Sequence, residues 1–578
     1  MTHVKNKKIA KILFEIADIL ELKGVSFKPR AYRRAARNIN SLADDIEKYY
    51  REKKLEEISG VGDSIASKVE EILETGDLEY LKGLREEVPA KLEKMMDIQG
   101  LGPKTLMKLN EELNISTVDE LEDAAKDHKI RVLEGFGETS EENILQGIKM
   151  YKRSNKRFLL GDVLPVARNI EKTLKKQKNV EKIEIAGSIR RMKETIGDVD
   201  ILVVSNDAAR VMDFFTSLDQ VARVLSKGRT KSTIITANDL QVDLRIVERE
   251  SFGAALQYFT GSKEHNIELR KIALDRDWKL SEYGLRDKQV NENIAGETEE
   301  GIYETLDLQL IPPELREDNG EIEAARQDNL PNLINEQNIK GDFQMHTKWS
   351  DGSNSLEEMI KKAIELDYEY LGISDHSKGL KIANGLTEEK FQEQFKKIDE
   401  LNKQYENIEI FTGVEVNIDS DGNLDLKSSI LKEFDFVIAS IHSGFKNSRE
   451  KITSRIINAI ENEYVTMIGH PTGRRIHQRA AMDIDLEKIF DVASEHGVWL
   501  ELNAYPDRLD LSDSDCFQAR DYSNLKICIN TDAHNTNELT YMELGVGMAR
   551  RGWLDESIVV NTKPVKEIRK LLEKNNHF

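Results

Sequence analysis

Cysteine is nearly absent from this chain. Cys516 and Cys528 are the only two among 578 residues, and they form no Cys-x-x-Cys pair. Neither a disulfide framework nor a thiolate zinc site is indicated. Long apolar runs are missing as well. The N-terminal stretch KKIAKILFEIADILEL is interrupted by Glu15 and Asp18, too charged for a secretory signal, and no run approaches the length of a membrane span. A cytoplasmic protein without membrane contact is expected. The third absence is net positive charge: 84 Lys+Arg against 105 Asp+Glu leave −21. Such a total does not advertise nucleic-acid binding, so its distribution matters more. Lys5–Arg37 holds ten basic and three acidic residues, Lys149–Arg157 five and none, and Lys340 to the end 30 and 42. A polyanion is expected to meet the front of the chain.

What is present needs several cores, because 578 residues exceed one domain and suggest three to five. Residues 5–50 read as amphipathic helices. In FKPRAYRRAARNI, Lys28, Arg30, Arg33, Arg34 and Arg37 surround Tyr32, either as a solvated helix face or as phosphate contacts. LEEISGVGDSIASKVEEI then sets two helical patterns around Gly60-Val61-Gly62. This is the helix-hairpin-helix arrangement, in which a glycine turn offers backbone N–H groups and a helix N-terminus to a phosphate. MDIQGLGPKTLMKL repeats it with Gly100, Gly102 and Lys104, and LEGFGETSEENIL echoes it with Gly135 and Gly137. Glycine at a helix end is common; the repetition is what points to sequence-independent backbone binding.

The stretch GSIRRMKETIGDVDILVV, residues 187–204, organises the middle of the chain. Asp198 and Asp200 stand two apart at the head of an apolar run, so both carboxylates leave one face of a strand. Hard oxygen ligands of this kind suit magnesium bridging to phosphates. Gly187-Ser188 upstream supplies N–H groups and a hydroxyl. LQVDLRIV places Asp243 mid-strand among apolar neighbours, where an Asp needs a partner such as a metal. The set resembles the nucleotidyltransferase palm of the family X DNA polymerases, the DNA polymerase beta type. The resemblance implies that Asp198, Asp200 and Asp243 are metal ligands and that Ser188 and Arg191 hold the triphosphate. It implies that Tyr258, Phe259, Gly261 and Ser262 form the turn under the incoming sugar, with Asn266 at the base edge and Arg270 on the template side. By the same resemblance the N-terminal segment is similar to a lyase domain, with Lys68 at the Schiff-base position and Lys28 at a 5′-phosphate contact.

From residue 339 short apolar runs each end in a metal-capable residue: IKGDFQMH, YLGISDHS, IFTGVEV, FVIASIHS, TMIGHPTG, VWLELNA and ICINTDAH. Strands with polar C-terminal ends and helices between them describe a β/α barrel with its site on one face. Five of the eleven histidines fall at these positions, which points to metal. This half resembles the PHP (polymerase and histidinol phosphatase) domain, a distorted barrel binding up to three metals. The resemblance implies the ligands His346, Asp351, His376, Glu415, His442, His470, Asp532 and His534. The family's first motif is His-x-His, whereas this chain has Gln344-Met345-His346, so one metal site is expected to be weakened and 3′–5′ exonuclease activity to be low or absent.

The expectation is therefore a multidomain chain: α-helical N-terminal helix-hairpin-helix domains, an α/β palm and a C-terminal PHP barrel. Its parts are a lyase-like helical domain at 1–85, a second helix-hairpin-helix domain at 86–153, a palm at 154–255 and a nucleotide-selection subdomain at 256–314. A polar linker at 315–338 and the barrel at 339–578 follow. The expected reaction is DNA-directed DNA synthesis in short gaps of base excision repair, on gapped or primed duplex DNA with deoxynucleoside triphosphates, by a monomer. Mg2+ would serve the palm and Mn2+ or Zn2+ the barrel. An RNA-directed nucleotidyltransferase and a DNA-end scaffold are the competing readings.

Overall fold

Apolar residues at helical spacing build the first 157 residues. Thr2–Leu22 buries Ile9, Leu13, Ile16, Ala17 and Leu20, and Lys28–Asn40 covers them with Tyr32, Ala35, Ala36 and Ile39. In this computed structural model the described residues are 2–575 apart from 26, 41, 43–45, 77, 88–91, 93–94, 97, 99–100, 155 and 381–382. One hydrophobic core runs from Ile9 to Ile148. The segments expected as separate domains at 1–85 and 86–153 thus share a core, within a compact unit of residues 1–157. Helix Asp63–Thr75 starts at Gly62 and stops at Gly76, whose φ of 76° is the left-handed stop that favours glycine. Helix Pro103–Leu113 starts at Gly102 with proline in its first position.

The second unit, 158–578, begins with a five-stranded sheet. Its order is Val180–Ile185, Asp198–Ser205, Gln241–Ile246, Lys231–Thr236, Val221–Lys227, and its central pair, Asp198–Ser205 with Gln241–Ile246, is parallel. Helices Leu160–Lys175 and Ala208–Thr216 bury apolar faces against this core. Helices Phe252–Thr260 and Lys263–Asp275 and a small antiparallel sheet, Trp278–Ser281, Gly284–Asp287 and Asn293–Ala295, come next.

A seven-stranded parallel sheet follows in sequential order: Gly341–Asp342, Tyr370–Ile373, Glu409–Asn417, Phe436–Ser440, Met467–Ile468, Trp499–Asn503 and Ile527–Asn530. Its first and last strands meet through a parallel bridge between Met345 and Ala533, with His346 N–H on the Ala533 carbonyl at 2.8 Å, so the barrel is nearly closed. The ring Phe343 packs inside against Tyr370, Phe411, Phe436 and Trp499.

Residues 315–338 are not a polar linker. Helix Glu321–Arg326 lies in this stretch, and Arg316 and Glu321 are both fully buried. Arg316 pairs with Glu299 at 2.5 Å and lies over the Tyr303 ring, while Glu321 accepts from the backbone of Asp318 and Asn319 and faces His265 Nδ1 at 2.6 Å. Part of the polar composition that suggested solvation goes into this buried pairing, since buried charges persist only when paired and hydrogen-bonded. The palm and the barrel also share one core, running from Leu160 to Val559. Their contact is close: a Cβ on Gly161 would lie 2.8 Å from Pro506, and one on Gly547 would lie 2.6 Å from Met192.

Candidate catalytic centres

Parallel pairing decides the geometry of the first centre. Asp200 and Asp243 are register partners, and Asp198 lies two residues before Asp200 on the same face. Asp198 is exposed, Asp200 half-buried and Asp243 buried. Thr233 Oγ1 donates to Asp243 Oδ1 at 2.6 Å, and Lys231 Nζ stands 2.8 Å from Oδ2. Arg245 Nε is 3.7 Å from Asp200 Oδ1, and its guanidinium stacks 4.4 Å from the Phe259 ring centre. Burial, and then the neighbouring charge of Asp198, push the Asp200 carboxyl up to about 6. A carboxyl whose proton affinity is raised by burial and by a neighbouring carboxylate gains from a further cation, so the donor set fits a divalent metal.

Gly187 adopts a φ of 76° at the start of the short helix Gly187–Arg190, and the preceding Ala186 N–H donates to the Asp200 carbonyl at 2.8 Å. Gly187 lies against Asp200, where a Cβ would meet Oδ2 at 3.4 Å, and Ser188 beside it is half-buried. Helix Phe252–Thr260 ends in the Tyr258–Phe259 pair, whose rings meet edge to face at 5.1 Å, and Ser262 caps the next helix by accepting from His265 N–H at 3.1 Å. Asn266 donates to the Tyr258 carbonyl at 2.8 Å and accepts from Gln257 at 2.7 Å, so its amide braces this turn. Arg270 sits half-buried one turn further on. Arg191 differs from the expectation of a side chain directed at phosphate. Its Nε donates to Glu317 at 2.9 Å and its Nη1 to the Thr260 carbonyl, because the segment at 315–338 packs here and brings a carboxylate with it.

The second centre lies at the C-terminal ends of the barrel strands. Glu415 is its hub: His376 Nδ1 lies 3.2 Å from Oε2, and the Nε2 atoms of His442 and His470 each lie 3.3 Å from Oε1. His346 Nε2 faces Asp532 at 3.1 Å and Glu415 at 3.5 Å. Asp351 approaches His534 at 3.6 Å and His376 at 3.8 Å. Three overlapping groups result: His346, Asp351, His376 and His534; His376, Glu415 and His442; His346, Glu415 and Asp532. Four buried Nδ1 atoms, those of His346, His376, His442 and His470, and Glu415 Oε1 lack an aligned hydrogen bond among the described residues. Of these, His376 Nδ1 and Glu415 Oε1 point into the cluster; buried lone pairs without partners are costly and metal coordination would satisfy them, so this donor set also fits divalent ions. Burial holds His376 and His470 down at about 4, the neutral form a ligand needs. Burial raises Glu415, but the imidazoles of His376 and His442 outweigh it and hold the group well below the usual carboxylate range.

Gln344 occupies the position before His346. Its Nε2 is 3.4 Å from Asp532 Oδ1, and with the amide turned over it donates to Glu501 Oε2 at 3.1 Å. The glutamine is engaged in hydrogen bonds to acidic neighbours in either orientation. Arg508 was not singled out from sequence: its Nε is 3.5 Å from Asp532 Oδ2, and its Nη1 is buried without a hydrogen-bond partner among the described residues. Lys231 and Thr233 were missed for the same reason, since only strand pairing sets them against Asp243.

In the N-terminal unit, Lys68 is half-buried on helix Asp63–Thr75. Its Nζ donates to the Ser64 carbonyl at 2.9 Å and lies 4.8 Å from the Tyr80 ring centre. Desolvation, then Lys28, lower its pKa. Gly60 has a φ of 85°, and the side chain of Arg34 lies against it. Among the described residues, Gly62 and Gly102 begin their helices without a side-chain cap, and the N–H groups of a helix start suit an outside acceptor. Lys28, Arg30, Arg34 and Arg37 are exposed, whereas Arg33 is paired with Asp18 at 2.5 Å and with Glu21. Gly100 and the Lys104 side chain lie outside the described residues. No helix among the described residues is long and apolar enough to cross a membrane.

Comparison with known proteins covers nearly the whole chain. Residues 4–78 match a helix-hairpin-helix domain, 92–150 a SAM-like helix-hairpin-helix tandem, 162–270 the DNA polymerase beta palm, 255–317 the DNA polymerase beta thumb and 342–505 the PHP domain. A relative from Bacillus subtilis (strain 168), the DNA polymerase/3'-5' exonuclease PolX, is 38% identical over 573 residues, spanning 99% of this chain and all of the relative. A probable phosphatase of Thermoanaerobacter sp. (strain X514) is 38% identical over 184 residues, 30% of this chain and 72% of that protein. Another, from Acetivibrio thermocellus, is 32% identical over 166 residues, 28% of this chain and 64% of that protein.

Proposed function

The chain belongs to the family X DNA polymerases that carry a C-terminal PHP domain, and on that premise we propose that it fills short gaps in DNA during base excision repair. It is a DNA polymerase. The observation that carries the site assignment is the register pairing of Asp200 with Asp243, with Asp198 on the same face. These three carboxylates would hold magnesium, whose chemistry at such a site is to neutralise phosphate charge and favour ionisation of the attacking hydroxyl. The N–H groups at Gly187 and the Ser188 hydroxyl hold the triphosphate. Arg191 contributes its charge to the same subsite. The Tyr258–Phe259 turn with Gly261 and Ser262 closes the sugar pocket against a 2′-hydroxyl, with Asn266 at the base edge and Arg270 on the template side. The helix-hairpin-helix amides after Gly60, Gly62 and Gly102 grip the duplex backbone independently of sequence. With DNA as substrate the protein belongs in the cytoplasm, acting as a monomer. The test is incorporation on a one-nucleotide gap with magnesium: dNTP use far above NTP use supports the reading, and comparable use of both favours an RNA-directed nucleotidyltransferase.

The barrel is a phosphoesterase-type centre for manganese or zinc, held by His346, Asp351, His376, Glu415, His442, His470, Asp532 and His534. Bound metal there supplies an ionised water for phosphodiester attack. Gln344, a neutral amide engaged with Asp532 or Glu501, weakens one of its metal positions, so its 3′–5′ exonuclease activity is low. Arg508, with an unpaired donor beside Asp532, faces the phosphate.

Lys68 is the candidate nucleophile of a 5′-deoxyribose-phosphate lyase. Its lowered pKa favours the neutral amine that Schiff-base formation requires, and Lys28 stands ready for the 5′-phosphate.

A further inference from the structure

The barrel reaches the polymerase centre through one buried guanidinium. Arg551 is the last residue of helix Met542–Arg551, and its side chain is 2% exposed. Its Nε and Nη2 donate to Asp513 Oδ2 at 2.9 and 2.6 Å, both within the barrel. Its Nη1 leaves the barrel, donating to the Arg191 backbone carbonyl at 2.7 Å and to Glu317 Oε1 at 3.0 Å. The same Glu317 oxygen accepts from Arg191 Nε at 2.9 Å and lies 3.6 Å from Lys193 Nζ. Arg191 in turn holds the Thr260 carbonyl, and a Cβ on Gly261 would lie 3.1 Å from its Nη1. Charge therefore alternates without a break from Asp513 through Arg551 and Glu317 to Arg191, which lies against the sugar-selecting turn.

We infer that Arg551 of the PHP barrel is a positioning residue for the triphosphate subsite of the polymerase, acting through Glu317 on Arg191. The inference rests on the reading that Arg191 serves the triphosphate. Arg551 grips Arg191 at two points, its main chain directly and its side chain through the shared carboxylate. It also draws Glu317 toward the barrel. Without Arg551, the Glu317 carboxylate is left to Arg191 and Lys193. Arg191 is then clasped more tightly and is less available to an incoming phosphate. Rigid forks of this kind set geometry as well as charge, and lysine does not reproduce them. The barrel is then a structural part of the nucleotide site whatever its own metal centre does.

The experiment is steady-state single-nucleotide insertion by the full chain on one-nucleotide gapped DNA. Arg551→Met is expected to raise KM for dNTP roughly tenfold, the size of one misplaced charge-assisted hydrogen bond. Its kcat and its gapped-DNA Kd should remain near wild type, and Arg551→Lys should fall between the two. Should Arg551→Met not fold, Arg551→Lys, alone and in a Glu317→Gln background, replaces it. With the carboxylate gone only the bond to the Arg191 carbonyl remains, and substituting Arg551 should change KM far less than it does with Glu317 in place. An unchanged KM in Arg551→Met, a fall in kcat with KM constant, or additive effects in the Glu317→Gln background would overturn the inference. Arg191→Ala separates the two claims. If it leaves KM unchanged, the triphosphate role falls and this inference with it. If it raises KM while Arg551→Met does not, only the role of Arg551 falls.

Discussion

Asp200 stands directly across a parallel strand pair from Asp243, and the proton affinity of Asp200 is raised to about 6 by burial and by the charge of Asp198. The native state thus binds this proton more tightly than the unfolded chain does. The resulting cost to stability is absent below about pH 4, grows as pH rises through about 6 and is complete above it. Asp200→Asn removes that cost. In chelator at pH 7.5 the variant should be more stable than wild type by about 3 kcal/mol, and the difference should vanish near pH 4. Magnesium should narrow or reverse the gap at pH 7.5 by stabilising only the wild type. A wild type that matches the variant in chelator at pH 7.5 would count against crowding of the three carboxylates.

Lys68 should be separable from polymerisation. Lys68→Ala is expected to abolish borohydride trapping of a 5′-deoxyribose-phosphate oligonucleotide while gap filling persists. Because desolvation and Lys28 lower the lysine pKa, trapping should set in at lower pH than for an exposed lysine, and Lys28→Ala should move its midpoint upward. Full trapping by Lys68→Ala would assign the nucleophile elsewhere.

Gln344→His restores imidazole at a position now taken up by hydrogen bonds to Asp532 or Glu501. The variant should bind more manganese per chain by elemental analysis and should raise 3′–5′ exonuclease activity about tenfold or more, the scale of a well-placed ligand contact. The gain should disappear with His376→Ala. Strong exonuclease activity in the wild type would show that the glutamine is no handicap.

The segment 315–338 gives a stability test. Arg316, fully buried, pairs with Glu299 at 2.5 Å, and Arg190 meets the same carboxylate at 2.6 Å. Arg316→Met should destabilise by about 3 kcal/mol, the cost of breaking a buried pair from one side, read as a lower midpoint in urea. A neutral result would mean that this stretch behaves as the solvated linker its composition suggests.

These cases mark where the sequence was legible. Strand-end carboxylates and histidines announce themselves, because Asp198 and Asp200 open an apolar run and Glu415 and His470 end or follow one, a pattern local to each segment. The helix-hairpin-helix turns are local too, carried by Gly60 and Gly62. What stayed hidden depends on pairing between distant segments. Lys231 meets Asp243 only because their strands are neighbours, and Arg508 meets Asp532 only at the barrel rim. Glu317 reads as a linker residue until Arg191 and Arg551 converge on it. A polar segment that pairs Arg316 and Glu321 in the interior has the same composition as one that floats in water.

The most direct test of the central claim is single-nucleotide incorporation on one-nucleotide gapped DNA by Asp198→Ala and Asp243→Asn, with the gapped-DNA Kd measured on the same samples. Both variants should lose incorporation by several orders of magnitude while binding the gap as tightly as wild type. Retained incorporation in either variant would contradict the three-carboxylate centre.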